Sequence, residues 1–289
     1  ELAVKPHEHP VNTGENVIWQ PIDNVTALRN ITNISGGSVY CYLTQDISLT
    51  TETYKPVNGV VLDLNGYSIT ANGEFDTITV GENVNFTLTD CKSGSKDANY
   101  GSITHGKMNW ANRYNGRGVY VSAGGHFTMY GGSIGPNLLS SVDSGAGVYV
   151  AENAKFTMFG GEIAGNMVSA AVKKDGGGIW TNGETTIGGN AKINGNVAQT
   201  AGGVYVNGGI LTLKDNAMVI SNQAFNHRNG IYVSADGVLR VSDSVQVKEN
   251  LNNGSGSNVF LDANDSGISP IMVVGELTGG VPIGVTLPD

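Results

Sequence analysis

The sequence is poor in cysteine, in charge and in long apolar runs, and each shortage argues against a class of protein. Only two cysteines occur among 289 residues, and neither has the spacing of a zinc site. Charged residues make up 14% of the chain and its net charge is −9, with no basic cluster to bind nucleic acid or an anionic membrane surface. No apolar run approaches the roughly 18 residues of a membrane-spanning helix.

Glycine, by contrast, is abundant, with 42 copies spread along the chain rather than in collagen-like triplets. Many of these glycines follow an asparagine, and the Asn-Gly pair tolerates positive φ and marks tight turns between strands. The asparagines of these pairs are Asn58, Asn65, Asn72, Asn115, Asn182, Asn194, Asn207, Asn229 and Asn253. The composition therefore favours an all-β chain with many short strands.

One four-residue motif returns five times. It reads Gly118-Val-Tyr-Val121, Gly147-Val-Tyr-Val150, Gly178-Ile-Trp-Thr181, Gly203-Val-Tyr-Val206 and Gly230-Ile-Tyr-Val233, with a looser copy at Asn258-Val-Phe-Leu261. The copies are separated by 25 to 31 residues, and an asparagine follows about eighteen residues after each of the five: Asn137, Asn166, Asn196, Asn222 and Asn250. A repeat of this length predicts a solenoid, in which equivalent side chains stack on one face.

Each repeat contains three short stretches of alternating apolar and polar residues, which predict three strands per coil. In one coil Val119 and Val121 face inward, followed by Phe127 with Met129 and then by Ile134. We therefore expect an all-β, single-stranded, right-handed parallel β-helix of eight to ten coils with capped ends. Cys41 alternates with apolar neighbours upstream of these repeats, which favours a buried thiol over a disulfide with Cys91.

The repeat resembles those of right-handed parallel β-helix proteins of the pectate-lyase-like superfamily. The closest resemblance is to the Gly-Gly-x-Ile-x-Gly-Asn and Gly-Gly-Val-Tyr-Val repeats of large surface proteins of gut Firmicutes. Those residues are here 160–166 and 202–206, and the resemblance is strongest over residues 101–261. The resemblance implies a β-helix with an adhesive role. The motif residues build the coil, so the motif is specific for the fold and does not define a function.

The central residue of the repeated motif is aromatic in every copy, and it faces outward if the flanking valines face inward. An outward aromatic row favours two interpretations: a platform for sugar or protein ligands, or a structural ladder of stacked rings. Trp180 departs from the repeat and is the best single binding candidate. The row consists of Tyr120, Tyr149, Trp180, Tyr205, Tyr232 and Phe260.

Length variation between repeats is concentrated in the loops that follow the asparagines, next to the aromatic strand. Variable loops on one face of a repeat protein often carry function, although tolerated drift in solvent loops explains them equally well. We expect a groove here that combines loop and aromatic residues. Its candidates are Trp110, Arg113, Tyr114, Asp143 and Asp175, beside Tyr120, Tyr149, Trp180 and Tyr205. The asparagines themselves are interpreted as a structural ladder at a tight turn.

Signals of catalysis are few. β-helix hydrolases and lyases use clustered carboxylates or a calcium site, and only Asp143 and Asp175 in neighbouring loops are weak candidates for an acid–base pair. No calcium-binding nonapeptide and no polygalacturonase motif occurs, so the sequence predicts neither a metal site nor a cofactor. An enzyme, a glycoside hydrolase or a polysaccharide lyase, is therefore the second hypothesis.

The leading hypothesis is an extracellular bacterial module, attached to the cell surface through other segments, that binds a glycan or a host surface protein. A stalk without a ligand is the third hypothesis. Residues 1–30 are expected to be an N-terminal cap or leader, residues 31–261 the β-helix, and residues 262–289 a C-terminal capping segment. The sequence does not indicate the oligomeric state, the ligand or the flanking domains.

Overall fold

The chain folds into a parallel β-helix. The computed structural model describes residues 17–33, 36–92, 100–107, 114–140, 143–169, 174–226, 228–250, 257–264, 267–278 and 283–288. Almost all of the pairing between strands is parallel, and each strand pairs with the equivalent strand one coil away. The predicted all-β solenoid is therefore confirmed.

Three long sheets run along the body. Sheet 1 has ten strands: Gln20–Ile22, Val39–Leu43, Val60–Asp63, Asn85–Thr89, His126–Met129, Lys155–Met158, Glu184–Ile187, Ile210–Leu213, Val238–Asp243 and Ile271–Leu277. Sheet 2 has eight: Ile47–Leu49, Ile69–Ala71, Ser102–His105, Ser133–Ile134, Glu162–Ala164, Lys192–Asn194, Met218–Ile220 and Gln246–Lys248. Sheet 3 has eight: Ile78–Val80, Val119–Val121, Val148–Val150, Ile179–Thr181, Val204–Val206, Ile231–Val233, Val259–Leu261 and Val285–Thr286.

The number of turns and the strands of each coil differ from the prediction. The helix makes about seven turns instead of eight to ten: sheets 2 and 3 stack eight strands each, and only sheet 1 continues to ten. Four coils also carry a fourth strand of two residues, directly after the repeated asparagine, where we expected only loop. These strands form sheet 4 and are Leu138–Leu139, Met167–Val168, Val197–Ala198 and Gln223–Ala224.

The core is a continuous column of inward side chains. Each inward valine or isoleucine of sheet 3 stacks on its equivalent, as Val119 does on Val148. In sheet 1 the buried rings of Phe86, Phe127 and Phe156 stack at centroid distances of 5.7 and 5.0 Å. Cys41 is a buried free thiol in this core, as its alternation with apolar residues predicts.

The two ends of the helix are built differently. At the N-terminal end, a short helix (Val25–Arg29) is capped by the Asn24 side chain and buries Leu28 against the core. At the other end, Ile271–Leu277 and Val285–Thr286 extend sheets 1 and 3, and Ala263–Asn264 pairs antiparallel with Gly267–Ile268. The boundaries predicted at residues 30 and 261 stay predictions.

Candidate functional site

The outward residues of sheet 3 form one unbroken aromatic ladder. Each ring stacks on the ring of the next coil, with centroid distances of 4.5 to 6.5 Å and interplanar angles of 21° or less. The parallel register imposes this stacking, because it sets Tyr149 directly between Tyr120 and Trp180. The six rings that were expected to share a face therefore do so.

Stacking changes what the ladder offers to a ligand. A sugar ring packs on the face of an aromatic ring, and here both faces of each internal ring lie against neighbouring rings. What solvent reaches is the edges of half-buried rings such as Trp180. At the C-terminal end, Tyr232 and Phe260 are buried outright, contrary to the outward exposure that we expected, because Arg228 lies over both rings.

An arginine covers each end of the ladder. The guanidinium of Arg117 lies 5.3 Å from the ring centroid of Tyr120 and 4.9 Å from that of Tyr149. The guanidinium of Arg228 lies 4.2 Å from the centroid of Phe260. A cation over an aromatic ring is stabilising, by about 0.5–2 kcal/mol depending on burial. Sequence reasoning missed both arginines, although each stands one or two residues before the glycine of a repeated motif.

Arg117 also joins two carboxylates. Its guanidinium is 3.2 Å from Oδ2 of Asp76 and 3.4 Å from Oδ1 of Asp143, and its Nε donates to the carbonyl of Ser144 at 3.0 Å. The backbone N–H of Arg117 donates to Asp76 as well, at 2.8 Å. Asp76 is 41 residues before Arg117 in the chain and reaches it only because the coil brings the two loops together.

These charged residues line a cleft of about 420 Å³ at the N-terminal end of the aromatic ladder. The wall carries basic, acidic and amide side chains, and the half-buried ring of Phe75 contributes apolar surface, whereas Leu139 is almost fully buried. A volume of this size lies within the range of small-ligand sites. The lining residues are Thr53, Lys55, Glu74, Phe75, Asp76, Thr79, Asn115, Gly116, Arg117, Leu139 and Asp143.

Besides Asp143, which pairs with Arg117, the exposed charges of this cleft are Lys55 and Glu74. Both side chains are exposed, and neither makes an ion pair with another residue in the part of the chain that the structure describes. Arg117, by contrast, has only 12% of its side chain exposed. The cleft thus combines a fixed, paired charge cluster at one wall with two charges that are free to meet a ligand.

The two aspartates predicted as an acid–base pair have separate partners. Asp143 is exposed and faces Arg117, whereas Asp175 is half-buried and accepts a hydrogen bond from Thr200. Burial raises the pKa of the Asp175 carboxyl, and the bonds to Thr200 and the charges of Lys174 and Arg228 oppose that rise. Their loops are joined by backbone contacts, since Gly145 donates to the carbonyl of Asp175 at 3.1 Å.

The remaining predicted residues divide into three groups. Trp110 and Arg113 lie outside the described residues. Tyr114 is half-buried and donates its backbone N–H to the carbonyl of Gly106 at 3.2 Å. Tyr205 is joined to Tyr232 by a side-chain hydrogen bond, and the Tyr232 hydroxyl donates to Asp262. Burial, followed by the charges of Asp175 and Asp262, raises the pKa of Tyr205 to about 12.

The repeated asparagines form a buried ladder of their own. Oδ1 of each asparagine accepts both the backbone N–H and the side-chain amide of the asparagine one coil before it, at distances of 2.9 to 3.1 Å from Asn137 to Asn250. At its N-terminal end Oδ1 of Asn137 lies 2.7 Å from Nδ1 of His105, whose Nε2 lies 2.7 Å from the carbonyl of Phe75. The structural interpretation of the asparagines is confirmed.

One group of side chains, at the ends of two neighbouring strands of sheet 1, has the composition of a metal site. Ligand atoms of Asp63, Asp90 and Cys91 lie within 4.8 Å of one another. Their carboxylates already serve the backbone: Asp63 accepts from the N–H of Asn65, and Asp90 accepts from those of Gly66, Lys92 and Gly101. These hydrogen bonds stabilise the two turns, and they provide the buried carboxylates with donors from the backbone.

Comparison with known proteins gives no relative for this chain. It matches no protein-family model, no curated protein and no solved structure. Among the described residues, no helix has the length and apolar character needed to cross a membrane.

Proposed function

We propose that this β-helix is a glycan-binding module and that the cleft around Arg117 is its binding site. The observation that supports the proposal is the mixture of groups in a single 420 Å³ cleft: carboxylates, a lysine, an amide and the apolar ring of Phe75. Sugars present hydroxyls that both donate and accept hydrogen bonds, together with apolar C–H faces. The cleft wall offers acceptors, donors and apolar surface that can contact each of these. A host protein offering similar hydroxyl and amide groups is the alternative ligand.

The charge cluster fits binding better than turnover. Asp76 and Asp143 are both ion-paired with Arg117, whereas a general acid must carry a proton to give to the leaving group. Fixed carboxylates instead accept strong, charge-assisted hydrogen bonds from ligand hydroxyls. The stacked ladder beside the cleft gives these groups a rigid support, and the edges of its rings extend the contact surface.

An enzyme is the second candidate, and one observation favours it. Asp175 is a half-buried carboxyl with a raised pKa, which is how a general acid is prepared for glycoside cleavage. The proposal for such an enzyme is a glycoside hydrolase or polysaccharide lyase acting near Asp175. Incubating each bound glycan with the protein and looking for shortened products distinguishes such an enzyme from a binding module.

We also propose an extracellular, cell-surface location in a bacterium, with attachment through segments outside this chain. Its support is the resemblance of the repeats over residues 101–261 to those of large surface proteins of gut Firmicutes. The low charge density and the Thr-, Asn- and Gly-rich surface suit a module exposed to the medium. Localisation by antibody on intact cells of the source organism, before and after protease treatment, tests this part.

A glycan array followed by calorimetry tests the binding proposal. Lys55→Ala and Glu74→Gln remove exposed groups of the cleft that make no ion pair among the described residues, so both variants should fold normally. We expect each to weaken binding about 5- to 30-fold, the loss of one charge-assisted hydrogen bond. Lys192→Ala, an exposed lysine on sheet 2, is the matched control and should bind as wild type. Absence of binding to every glycan, or equal binding by all variants, would overturn the proposed site.

A further inference from the structure

A second cleft lies at the corner that joins sheet 3 to sheet 1, and it results from a departure from the repeat. Most turns at this corner, between Val80 and Val238, have four residues: 81–84, 122–125, 151–154 and 234–237. Two neighbouring turns are shorter, with two residues at 182–183 and three at 207–209. The corner around these short turns contains a cleft of about 370 Å³.

The short turns also lack a hydrogen bond that closes each full-length turn. In the four long turns the backbone N–H of the last residue donates to the carbonyl of the first, as Ala154 donates to Ala151 at 3.1 Å. The short turns end at Gly183 and Gly209, and neither N–H donates in a hydrogen bond among the described residues. Both glycines are buried and line the cleft. Because a buried N–H without an acceptor is unfavourable, these two donors favour a ligand that brings one.

The wall of the cleft adds side chains of mixed chemistry. Glu152 is exposed and makes no ion pair among the described residues, and Asn182 supplies an amide. Lys155 pairs with Glu184 at 2.9 Å, and the half-buried Ile210, which lies beside Glu184 in the sheet, contributes apolar surface. Two carboxylates against one ammonium group give the lining a net charge of −1, so the cleft disfavours anionic ligands.

From these features we infer that the corner cleft is a second ligand site, and that it binds the acetamido group of an N-acetylated sugar. A secondary amide presents a carbonyl acceptor and an N–H donor, and the acetyl group adds a methyl. The carbonyl can accept from Gly183 and Gly209, the amide N–H can donate to Glu152, and the methyl can pack on Ile210. This site lies at a different corner from the cleft at Arg117 and does not depend on binding there.

A titration of the ¹⁵N-labelled protein followed by nuclear magnetic resonance tests the inference, because it observes the two glycine amides directly. N-acetylglucosamine is expected to shift the signals of Gly183 and Gly209 with a Kd of about 1 mM, since a single sugar makes few contacts. Glucose and glucosamine lack the acetyl carbonyl, so each should bind about tenfold more weakly or worse.

Two variants locate the site. Replacing residues 182–183 by Ser-Ala-Asp-Gly, the turn at 234–237, restores the full-length turn and should abolish binding. It keeps glycine at the last position, where a Cβ on Gly183 would lie 2.3 Å from the carbonyl oxygen of Ala154. Glu152→Gln should weaken binding about 3- to 10-fold through the loss of one charged acceptor. Glu82→Gln changes the same position of the equivalent turn 81–84 and, as the matched control, should bind as wild type.

The outcomes separate this site from the cleft at Arg117. Lys55→Ala should bind N-acetylglucosamine at the corner cleft as wild type does, whatever its effect on other glycans. The inference is overturned if neither glycine signal moves at about 50 mM sugar, if glucose binds equally well, or if the restored turn leaves binding intact. Tighter binding of an N-acetylated dipeptide than of the sugar would assign the cleft to peptides and overturn the sugar class.

Discussion

Asn166 donates both its backbone N–H and its side-chain amide to one atom, Oδ1 of Asn196, at 3.0 Å in each case. The same side-chain amide also donates to the carbonyl of Ile134 at 2.9 Å, and Oδ1 of Asn166 in turn accepts both donors of Asn137. No water reaches this chain of bonds, because the asparagines are buried. Bonds aligned in this way along one axis polarise one another, and the ladder holds successive coils at one corner.

Asn166→Ala is therefore expected to destabilise the fold by about 3 kcal/mol, since it leaves two donors of Asn137 and the carbonyl of Ile134 unsatisfied in the interior. The measurement is equilibrium unfolding in urea. Asn207→Ala removes an exposed asparagine whose side chain makes a single long contact at 3.5 Å, and it should change stability by less than about 0.5 kcal/mol. Equal effects from both variants would contradict a structural role for the ladder.

His105→Ala should destabilise the helix by about 2–4 kcal/mol, because it removes the partner of both Asn137 Oδ1 and the Phe75 carbonyl from a buried site. We expect hydrogen exchange to show the loss first in the two neighbouring coils that contain Phe75 and His105. His126→Ala changes an exposed histidine with one contact to Asn85 and serves as the control. If the two variants unfold at the same urea concentration, His105 does not terminate the ladder.

The buried thiol of Cys41 should make the free energy of unfolding fall as the pH rises above about 9. Burial, and then the charge of Asp63, raises its pKa from 9.0 to about 12. The unfolded thiol ionises from about pH 9 and the folded one does not, so its contribution is complete below pH 9 and is lost as pH rises toward 12. Tyr205, with its pKa raised to about 12, acts in the same direction. Unfolding in urea at pH 7, 9 and about 10.5 should show this decline.

Cys41→Ala should reduce the decline while lowering stability at pH 7 through the cavity it creates. The same burial predicts that the native thiol of Cys41 reacts with a maleimide only after unfolding. Rapid labelling of Cys41 at pH 7 in the folded protein, detected by mass spectrometry, would contradict its position in the core.

Trp180→Ala separates the two interpretations of the aromatic row. As part of a stacked ladder, Trp180 packs at 4.5 Å on Tyr149, and its loss should cost about 2–3 kcal/mol of stability. Because the proposed site is the cleft at Arg117, glycan affinity should fall less in Trp180→Ala than in Lys55→Ala. Thermal unfolding and calorimetry on the same samples measure both quantities. A stable Trp180→Ala variant that no longer binds would restore the aromatic platform as the site.

Sequence periodicity was enough to predict the helix because each coil repeats the same inward pattern. Val119, Val148 and Ile179 recur at equivalent positions, and stacking them dictates the parallel register. The two-residue strands of sheet 4 escaped prediction, because two residues carry no alternation that distinguishes a strand from a loop. Their positions follow only from the ladder of asparagines that precedes them.

The candidate site was predicted less completely. The aromatic row followed from the repeat, but the stacking of its rings depends on side-chain orientation, and the pattern contains no information on that. The ion pair between Arg117 and Asp76 joins residues 41 positions apart, in a coil lengthened by insertions, so no motif spacing could predict it. Asp143 forms an ion pair with Arg117, a contact that the sequence analysis did not anticipate.

The parallel pairing of the sheets also gives the molecule a mechanical direction. The hydrogen bonds of the asparagine ladder and of the long sheets run along the helix axis. Tension between the two ends therefore loads the coils in series, one after another, and not in parallel. Coils contact only their neighbours, and a pulled helix should yield one coil at a time. Each step would release 25 to 31 residues of chain in the repeated region, so that the protein lengthens gradually under load instead of giving way at once.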